Sequence, residues 1–332
     1  MKTIAFFNNK GGVGKTTLIC NLGAMLAKKQ KRVLIIDADP QCNASEYMLN
    51  RLELIHLYKD TTRLTLYNFI KPLESGKGFS NKYYTKRCEN FDLDLIAGDP
   101  RLAIVEDLLA SDWGYAISGQ ERGIRTTLVF KHLVNKIRTS KKYDFLLIDV
   151  GPSLSSINRS VLLSSDYFVS PMSSDIFSLR AVENIAEWFQ KWWKSWVIGS
   201  ENSESDILKK LKPKKVKFAG YVTLQYYAKR QGDQGLRPVK AYDNIIERMA
   251  SMFSNNFDGV FGCPTDQNSH LLGTVPNLFS LVPMSQQSGI PIFRLTSSNG
   301  VKGAHFAKVR EAEEIFSQIA DEIIHRTTTA HD

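Results

Sequence analysis

Lys10-Gly11-Gly12-Val13-Gly14-Lys15-Thr16-Thr17 decides how the rest of the chain is read. It follows an apolar run at residues 3–7 and precedes a second one at 18–26. An extended run, a glycine-rich turn closing on Lys-Thr and then a helical pattern describe a strand-loop-helix unit that binds phosphate. Gly11, Gly12 and Gly14 admit backbone dihedrals closed to other residues, so several N–H groups can face one anion. The helix beginning near Lys15 adds the positive end of its dipole. Lys15 supplies a mobile charge for the outer phosphates. The Thr16 hydroxyl suits a magnesium ion whose other ligands are mostly water and phosphate oxygen. A chance Lys-Thr after a glycine turn would leave the flanking strand and helix unexplained, so the stretch predicts a nucleoside triphosphate site.

Two later runs carry matching chemistry. Val33-Leu34-Ile35-Ile36-Asp37-Ala38-Asp39-Pro40-Gln41-Cys42-Asn43 is an unbroken apolar segment that ends in carboxylates. Such a run reads as a strand of a parallel sheet, buried on both faces, with ligands collecting at its carboxyl end. Phe145-Leu146-Leu147-Ile148-Asp149-Val150-Gly151-Pro152-Ser153 repeats the form, and Asp149 reads as a strand-end carboxylate that meets magnesium, usually through water. Many buried strands end in aspartate, so each run alone is a weak signal. Beside Lys15 they describe one site.

The general phosphate-loop pattern wants glycine at position 9, where this chain has Asn9, and it has no second lysine corresponding to Lys10. Over eight residues the loop resembles the deviant Walker A signature of the ParA/MinD family, Lys-Gly-Gly-x-Gly-Lys-Thr-Thr. Residues 37–43 resemble that family's Asp-x-Asp-Pro-Gln-Gly-Asn segment, with Cys42 in place of glycine. The likeness runs from residue 1 to about residue 322 and is closest to ParA-like partition ATPases. It implies an α/β fold, a mostly parallel twisted sheet flanked by helices on both faces, with ATP and Mg2+ as cofactors. It also implies that Lys10 reaches across a dimer interface to the partner's nucleotide, and that Asp39 orients or activates the attacking water. Lys10, Lys15 and Asp39 are then the catalytic set, and Thr16, Asp39 and Asp149 the metal set. Thr274-Val275-Pro276-Asn277 resembles the family's late strand and the loop that contacts the base, which assigns Pro276 and Asn277 to the nucleotide. That loop commonly carries arginines implicated in DNA binding, and here the positions hold Asn277 and Ser280. After Asp149 the family usually continues with a small residue and two prolines, against Val150-Gly151-Pro152 here.

Length and composition agree with this reading. At 332 residues, with 43% hydrophobic and 23% charged residues, the chain can bury a large core and is expected to form one P-loop ATPase domain over 1–332. Inserts least like the family fall near 51–90, 112–125 and 198–217. No apolar run approaches the roughly 18 residues that span a bilayer, and the start shows no signal-peptide pattern. The expectation is a soluble protein. Cys20, Cys42, Cys88 and Cys263 form no CxxC or Cys/His cluster, which argues for a reducing cytoplasm and against a metal-cluster reductase of the same loop class. The residues after 325 have no apolar face, so no membrane anchor of the MinD type is expected at the C-terminus.

Several other stretches carry expectations. Residues 67–70 read as a short helix, 93–98 as a strand and 102–109 as a helix, with a glycine-bearing loop over 113–125. Trp188, Trp192, Trp193 and Trp196 recur at helical spacing, a pattern of core more often than of a docking surface. Lys209, Lys210, Lys212, Lys214, Lys215 and Lys217 put six lysines in nine residues, a candidate DNA or partner surface or simply a solvated loop. Residues 226–237 read as a flexible basic loop. A final helix over 303–324 turns Phe306, Val309, Ala312, Ile315, Phe316, Ile319 and Ile323 to the core.

The net charge of +9 favours polyanionic partners. The family resemblance implies, as the leading expectation, a slow, partner-stimulated ATPase. It would dimerise on ATP and act in plasmid or chromosome partition through non-specific DNA and a stimulating adaptor protein, in the cytoplasm and at the nucleoid. The alternative is a regulatory or protein-positioning ATPase of the same family that recruits a protein effector without DNA.

Overall fold

The computed structural model describes residues 1–59, 64–226, 228–230, 236–238, 240–262 and 270–328. Cys263 and the tail beyond Thr328 lie outside them. In chain order the first elements are β1 (Lys2–Phe6), α1 (Lys15–Lys28), β2 (Val33–Asp37), α2 (Asn43–Met48), α3 (Arg51–Leu57) and α4 (Leu66–Ile70). Next come β3 (Lys86–Cys88), β4 (Leu93–Ile96), α5 (Leu102–Ile117), α6 (Glu121–Thr127), α7 (Val129–Thr139) and β5 (Phe145–Asp149). They continue with α8 (Ser156–Leu162), β6 (Tyr167–Ser173), α9 (Ile176–Glu201), α10 (Asp206–Leu211) and β7 (Lys217–Tyr226). The last are β8 (Ala228–Arg230), β9 (Leu236–Pro238), α11 (Lys240–Phe257), β10 (Leu271–Pro276), α12 (Leu281–Ser288) and α13 (His305–Thr328).

Eight strands form one sheet in the order β10-β7-β6-β1-β5-β2-β4-β3, parallel throughout except for the antiparallel edge strand β3. Period-2 alternation sends each apolar strand into two cores. Ala5, Leu34, Ile36, Leu146 and Ile148 join the layer of α5, α7, α8 and α9, while Ile4, Phe6, Ile35 and Leu147 join that of α1, α12 and α13. This is the doubly covered sheet that the continuous apolar runs predict.

The tryptophan stripe belongs to the core. Trp192 and Trp196 are buried on α9, Trp113 of α5 lies 6.3 Å from Trp196, and Trp188 lies 5.6 Å from Phe7, just past β1. A docking role for this stripe has no exposed surface at its centre.

Three expectations are corrected. Residues 113–125 are not a loop: α5 continues to Ile117 and α6 follows from Glu121. Of the three glycines there, Gly119 (φ 76°) does break the chain in the short turn between the helices, Gly114 sits in open space on α5, and Gly123 serves close packing. A Cβ on Gly123 would stand 2.2 Å from the Ala116 nitrogen, and one on Gly199 would stand 2.6 Å from the Ala116 carbonyl oxygen. The chain near 226–237 is not wholly irregular, since β8 and β9 pair as an antiparallel hairpin. Phe306 does not face the core; it is 41% exposed in the first turn of α13, ahead of the stripe from Val309 to Ile323.

Gly123 tests this packing. An alanine in a helix ordinarily gains about 1 kcal/mol over glycine. Here the added methyl meets backbone, so Gly123→Ala is expected to lose about 2 kcal/mol in urea unfolding, and unchanged or increased stability would show that α5 and α6 do not pack this closely.

Candidate nucleotide site

The site is set by strand register. β5 pairs with β1 so that Phe6 lies opposite Asp149, and with β2 so that Asp37 lies opposite the same Asp149. All three strands therefore end on one rim, and the Ala38 amide donates to the Asp149 carbonyl oxygen at 2.8 Å. Between β1 and α1 the loop turns at Gly12 (φ 73°) and Gly14 (φ 88°), left-handed values that call for glycine. Asn8 fastens its start, with Nδ2 donating to the Pro171 carbonyl oxygen of β6 at 2.6 Å and Oδ1 accepting from the Lys10 amide at 3.2 Å. Gly14 caps α1, so the amino end of that helix opens onto a cavity of about 560 Å³ lined by Lys10, residues 12–17, Asp39 and Pro152.

Lys15 Nζ donates to Asp149 Oδ1 at 2.8 Å, and Thr16 Oγ1 donates to Asp149 Oδ2 at 2.8 Å. The Lys15 and Asp149 side chains are 7% and 0% exposed, so each neutralises a charge that burial alone would make costly. Asp39 lies beside them, its Oδ1 accepting from the Gln41 amide at 2.9 Å. Burial pushes the Asp39 carboxyl above its usual range, the Asp149 charge adds to this, and the Gln41 amide and Lys15 pull it back. A Cβ on Gly151 would stand 3.4 Å from Asp39 Oδ1, so the segment after β5 runs directly against this carboxylate. Thr16, Asp39 and Asp149 present an all-oxygen donor set. This fits Mg2+, which takes few protein ligands and completes its shell with phosphate and water.

Cys42 occupies the position where the resembling segment has glycine, and it keeps the glycine-like conformation at φ 55°. Burial raises its thiol to about 12, leaving it neutral.

Pro276 and Asn277 line an adjoining cavity of about 330 Å³ that shares Val13, Gly14 and Thr17 with the first. Leu18, Leu224, Val275 and Phe316 give it apolar walls, suited to a flat ring. Lys10 behaves differently from the other loop residues. It lines the phosphate cavity, yet its ammonium donates to Ser173 Oγ at 3.0 Å and forms an ion pair with Asp175 of its own chain. The six lysines of the 209–217 run are all exposed, and the run leads into the amino end of β7, where Lys217 lies opposite Tyr167, the first residue of β6.

Sequence reasoning missed several supports. Asp37 Oδ2 accepts from the Ser45 amide at 2.8 Å and its hydroxyl at 2.7 Å, and Ser45 Oγ accepts from the Gly98 amide at 2.9 Å. One buried carboxylate thus ties α2 to the ends of β2 and β4. Burial and the Asp149 charge push Asp37 up to about 7, against the pull of the Ser45 bonds. Gln41, Glu46 and Gln286 also line the cavity, from segments whose convergence no local pattern announces. The Asp37-x-Asp39 doublet was a usable signal for Asp37.

Comparison with known proteins follows this geometry. A family model described as an AAA domain matches residues 1–198. The chromosome partitioning protein ParA of Caulobacter vibrioides is 29% identical over 210 residues, 62% of this chain and 67% of that protein. The chain belongs to the ParA/MinD-type P-loop ATPases. A second relative of this ParA-type ATPase, an uncharacterized protein of Methanocaldococcus jannaschii, is 26% identical over 324 residues and covers 98% of each chain. Among solved structures, a protein of Corynebacterium diphtheriae superposes with a TM-score of 0.77 at 28% identity, covering 100% of both chains.

The buried ion pair gives a test in nucleotide-free protein. Lys15→Ala strands Asp149 and is expected to lower stability by about 3 kcal/mol, read from denaturant unfolding. Asp149→Asn added to that variant should restore most of the loss, since no unpaired charge remains. A double variant no more stable than Lys15→Ala would show that the pair is not what holds this rim.

Proposed function

We propose that this ParA-type ATPase is an ATP-dependent dimerising switch. It binds ATP with Mg2+, closes face to face with a second copy, and reopens when ATP and water become ADP and phosphate. The observation that carries this reading is the convergence of Lys15, Thr16 and Asp39 on one cavity, with Asp149 bonded to Lys15 and Thr16 behind its wall and a second lysine, Lys10, also lining it. We read residues 1–332 as one such ATPase domain.

In this scheme the loop amides and Lys15 hold the phosphates, Lys15 exchanging Asp149 for phosphate oxygen. Thr16 and Asp149 hold Mg2+, with Asp39 in support; when bound, the ion neutralises charge on the phosphates. Asp39 orients the attacking water by accepting a hydrogen bond from it. Pro276 and Asn277 flank the base. Lys10 serves the phosphates of the other copy, and turnover is slow until a stimulating adaptor protein engages.

The biological setting we favour is plasmid or chromosome partition in the cytoplasm, through non-specific duplex DNA at the nucleoid. Its support is electrostatic. The six lysines between Lys209 and Lys217 are exposed, and only Lys209 among them has an ion pair on its own helix, with Asp206. Two observations favour the alternative regulatory role: the run leads into the amino end of β7, away from the rim where the phosphate loop lies, and Asn277 and Ser280 replace the family's arginines. Among the described residues no helix is long and apolar enough to cross a membrane.

Two measurements test the reading. Asp39→Ala is expected to retain ATP binding and ATP-dependent dimerisation while hydrolysis stops; normal turnover would remove Asp39 from the mechanism. With ATP the wild type should co-sediment with random-sequence duplex DNA in a salt-sensitive way. Lys214→Glu with Lys215→Glu should weaken this and lower the log–log salt slope by about 0.9 for each phosphate that is no longer neutralised. No binding even at low salt would exclude partition through DNA and leave the regulatory role.

A further inference from the structure

A second basic cavity, of about 420 Å³, shares no lining residue with the two cavities of the nucleotide site. It lies beside Ile96, the last residue of β4, on the rim where β2 also ends. Ligands of α/β sheets collect at this end of the strands. Buried Phe69, Ile96 and Leu133 give the cavity an apolar floor, and Tyr83 and Tyr84 stand in its walls. Lys71, Lys77 and Lys82 line it too, and the lining contains no acid.

The stretch after α4 is pinned rather than left to run out as a solvated loop. Phe79 stacks on His132 of α7, ring centres 4.2 Å and planes 7° apart, and Phe69 of α4 lies 6.0 Å from the same ring. His132 Nε2 donates to the Ser80 carbonyl oxygen at 3.2 Å, and the Lys77 amide donates to the Pro72 carbonyl oxygen at 2.9 Å. The three lysines are thereby gathered around one floor, where like charges oppose one another. Little offsets them locally. Between residues 65 and 88 the sequence has a single acid, Glu74, and it accepts from the Tyr67 hydroxyl at 3.1 Å. Asp99, behind Thr65, is paired with Arg101. Among the described residues none of the three lysines forms an ion pair, and Lys71 has the Tyr67 ring at 6.0 Å. Solvent screens the exposed ammoniums from one another, and a bound anion would do so more completely.

The lining also states what kind of anion fits. Lysine offers a compact point charge without the planar fork that arginine presents to a carboxylate, and so suits phosphate. An apolar floor between aromatic walls takes a flat apolar body. We propose that this cavity is a second ligand site, built for a small organic phosphate: Lys71, Lys77 and Lys82 hold the phosphate, while the floor and the two tyrosines take the ring. The site does not rest on the nucleotide reading above.

Pyridoxal phosphate probes this chemistry: a flat ring with a phosphate, whose aldehyde condenses with a lysine amine, releasing water, and is fixed by borohydride reduction of the imine. Labelling of the wild type is followed lysine by lysine with mass spectrometry, and the lysines between Lys209 and Lys217, also exposed, are the reference. At least one of Lys71, Lys77 and Lys82 should label saturably and about tenfold faster than these, the discrimination that one charge-assisted hydrogen bond confers. Pyridoxal, which lacks the phosphate, should lose that advantage. Ser75→Trp, at an exposed lining position, fills the cavity and keeps all three lysines, and should bring their rate down to the reference. Phenyl phosphate should compete at lower concentration than inorganic phosphate. Labelling at the reference rate overturns the proposal, as does an equal advantage with pyridoxal or an unchanged rate in Ser75→Trp. Inorganic phosphate competing as well as phenyl phosphate overturns the assignment of a ring to the floor.

Discussion

A carboxylate with no exposed surface needs a cation, and Asp149 obtains one from the phosphate loop of a neighbouring strand. Much of the rim follows from that constraint. The parallel register brings the Asp37 carboxylate alongside as well, and one lysine does not neutralise two acids, so Asp37 is the one driven toward its neutral form and satisfied by Ser45. A slip of one residue between β2 and β5 would turn these side chains to the opposite face of the sheet. Site chemistry and strand register are therefore the same specification.

The backbone of the loop is underlaid by rigid contacts, whereas its charged side chains have exchangeable partners. Phe7 packs on Trp188, Asn8 is bonded to β6, and Gly14 begins a helix whose body is buried. Lys10 and Lys15, by contrast, end on carboxylates, partners that on the reading proposed above give way to phosphate. A preorganised cradle with movable charges binds an anion without rebuilding the chain around it.

The parts that were legible in sequence are those whose signal is local. The strand, glycine turn and helix at residues 2–28 and the strands closing on Asp37 and Asp149 announce themselves within a dozen residues each, and their shared register then assembles the site. The tryptophans of α9 were legible as core because helical spacing alone places them on one face. The helices at 113–125 were not, because glycine punctuates a chain in isolation but permits close approach once a second helix is present, as Gly123 and Gly199 do against α5. Nor was the partner of Lys10 legible: Asp175 lies 165 positions further along the chain, and no local pattern marks the contact. Phe306 fits the apolar period of α13 but lies one turn ahead of the layer that would cover it.

The sheet separates two chemistries by polarity of direction. Every parallel strand delivers its carboxyl end to the nucleotide rim and its amino end to the opposite pole, where the lysines preceding β7 are exposed. Two copies joined rim to rim would thus leave both lysine runs facing outward. Such an object has a valence of two for any extended polyanion, so its hold on that polymer would rise with assembly through effective concentration alone, without a new contact or a change of shape at either run.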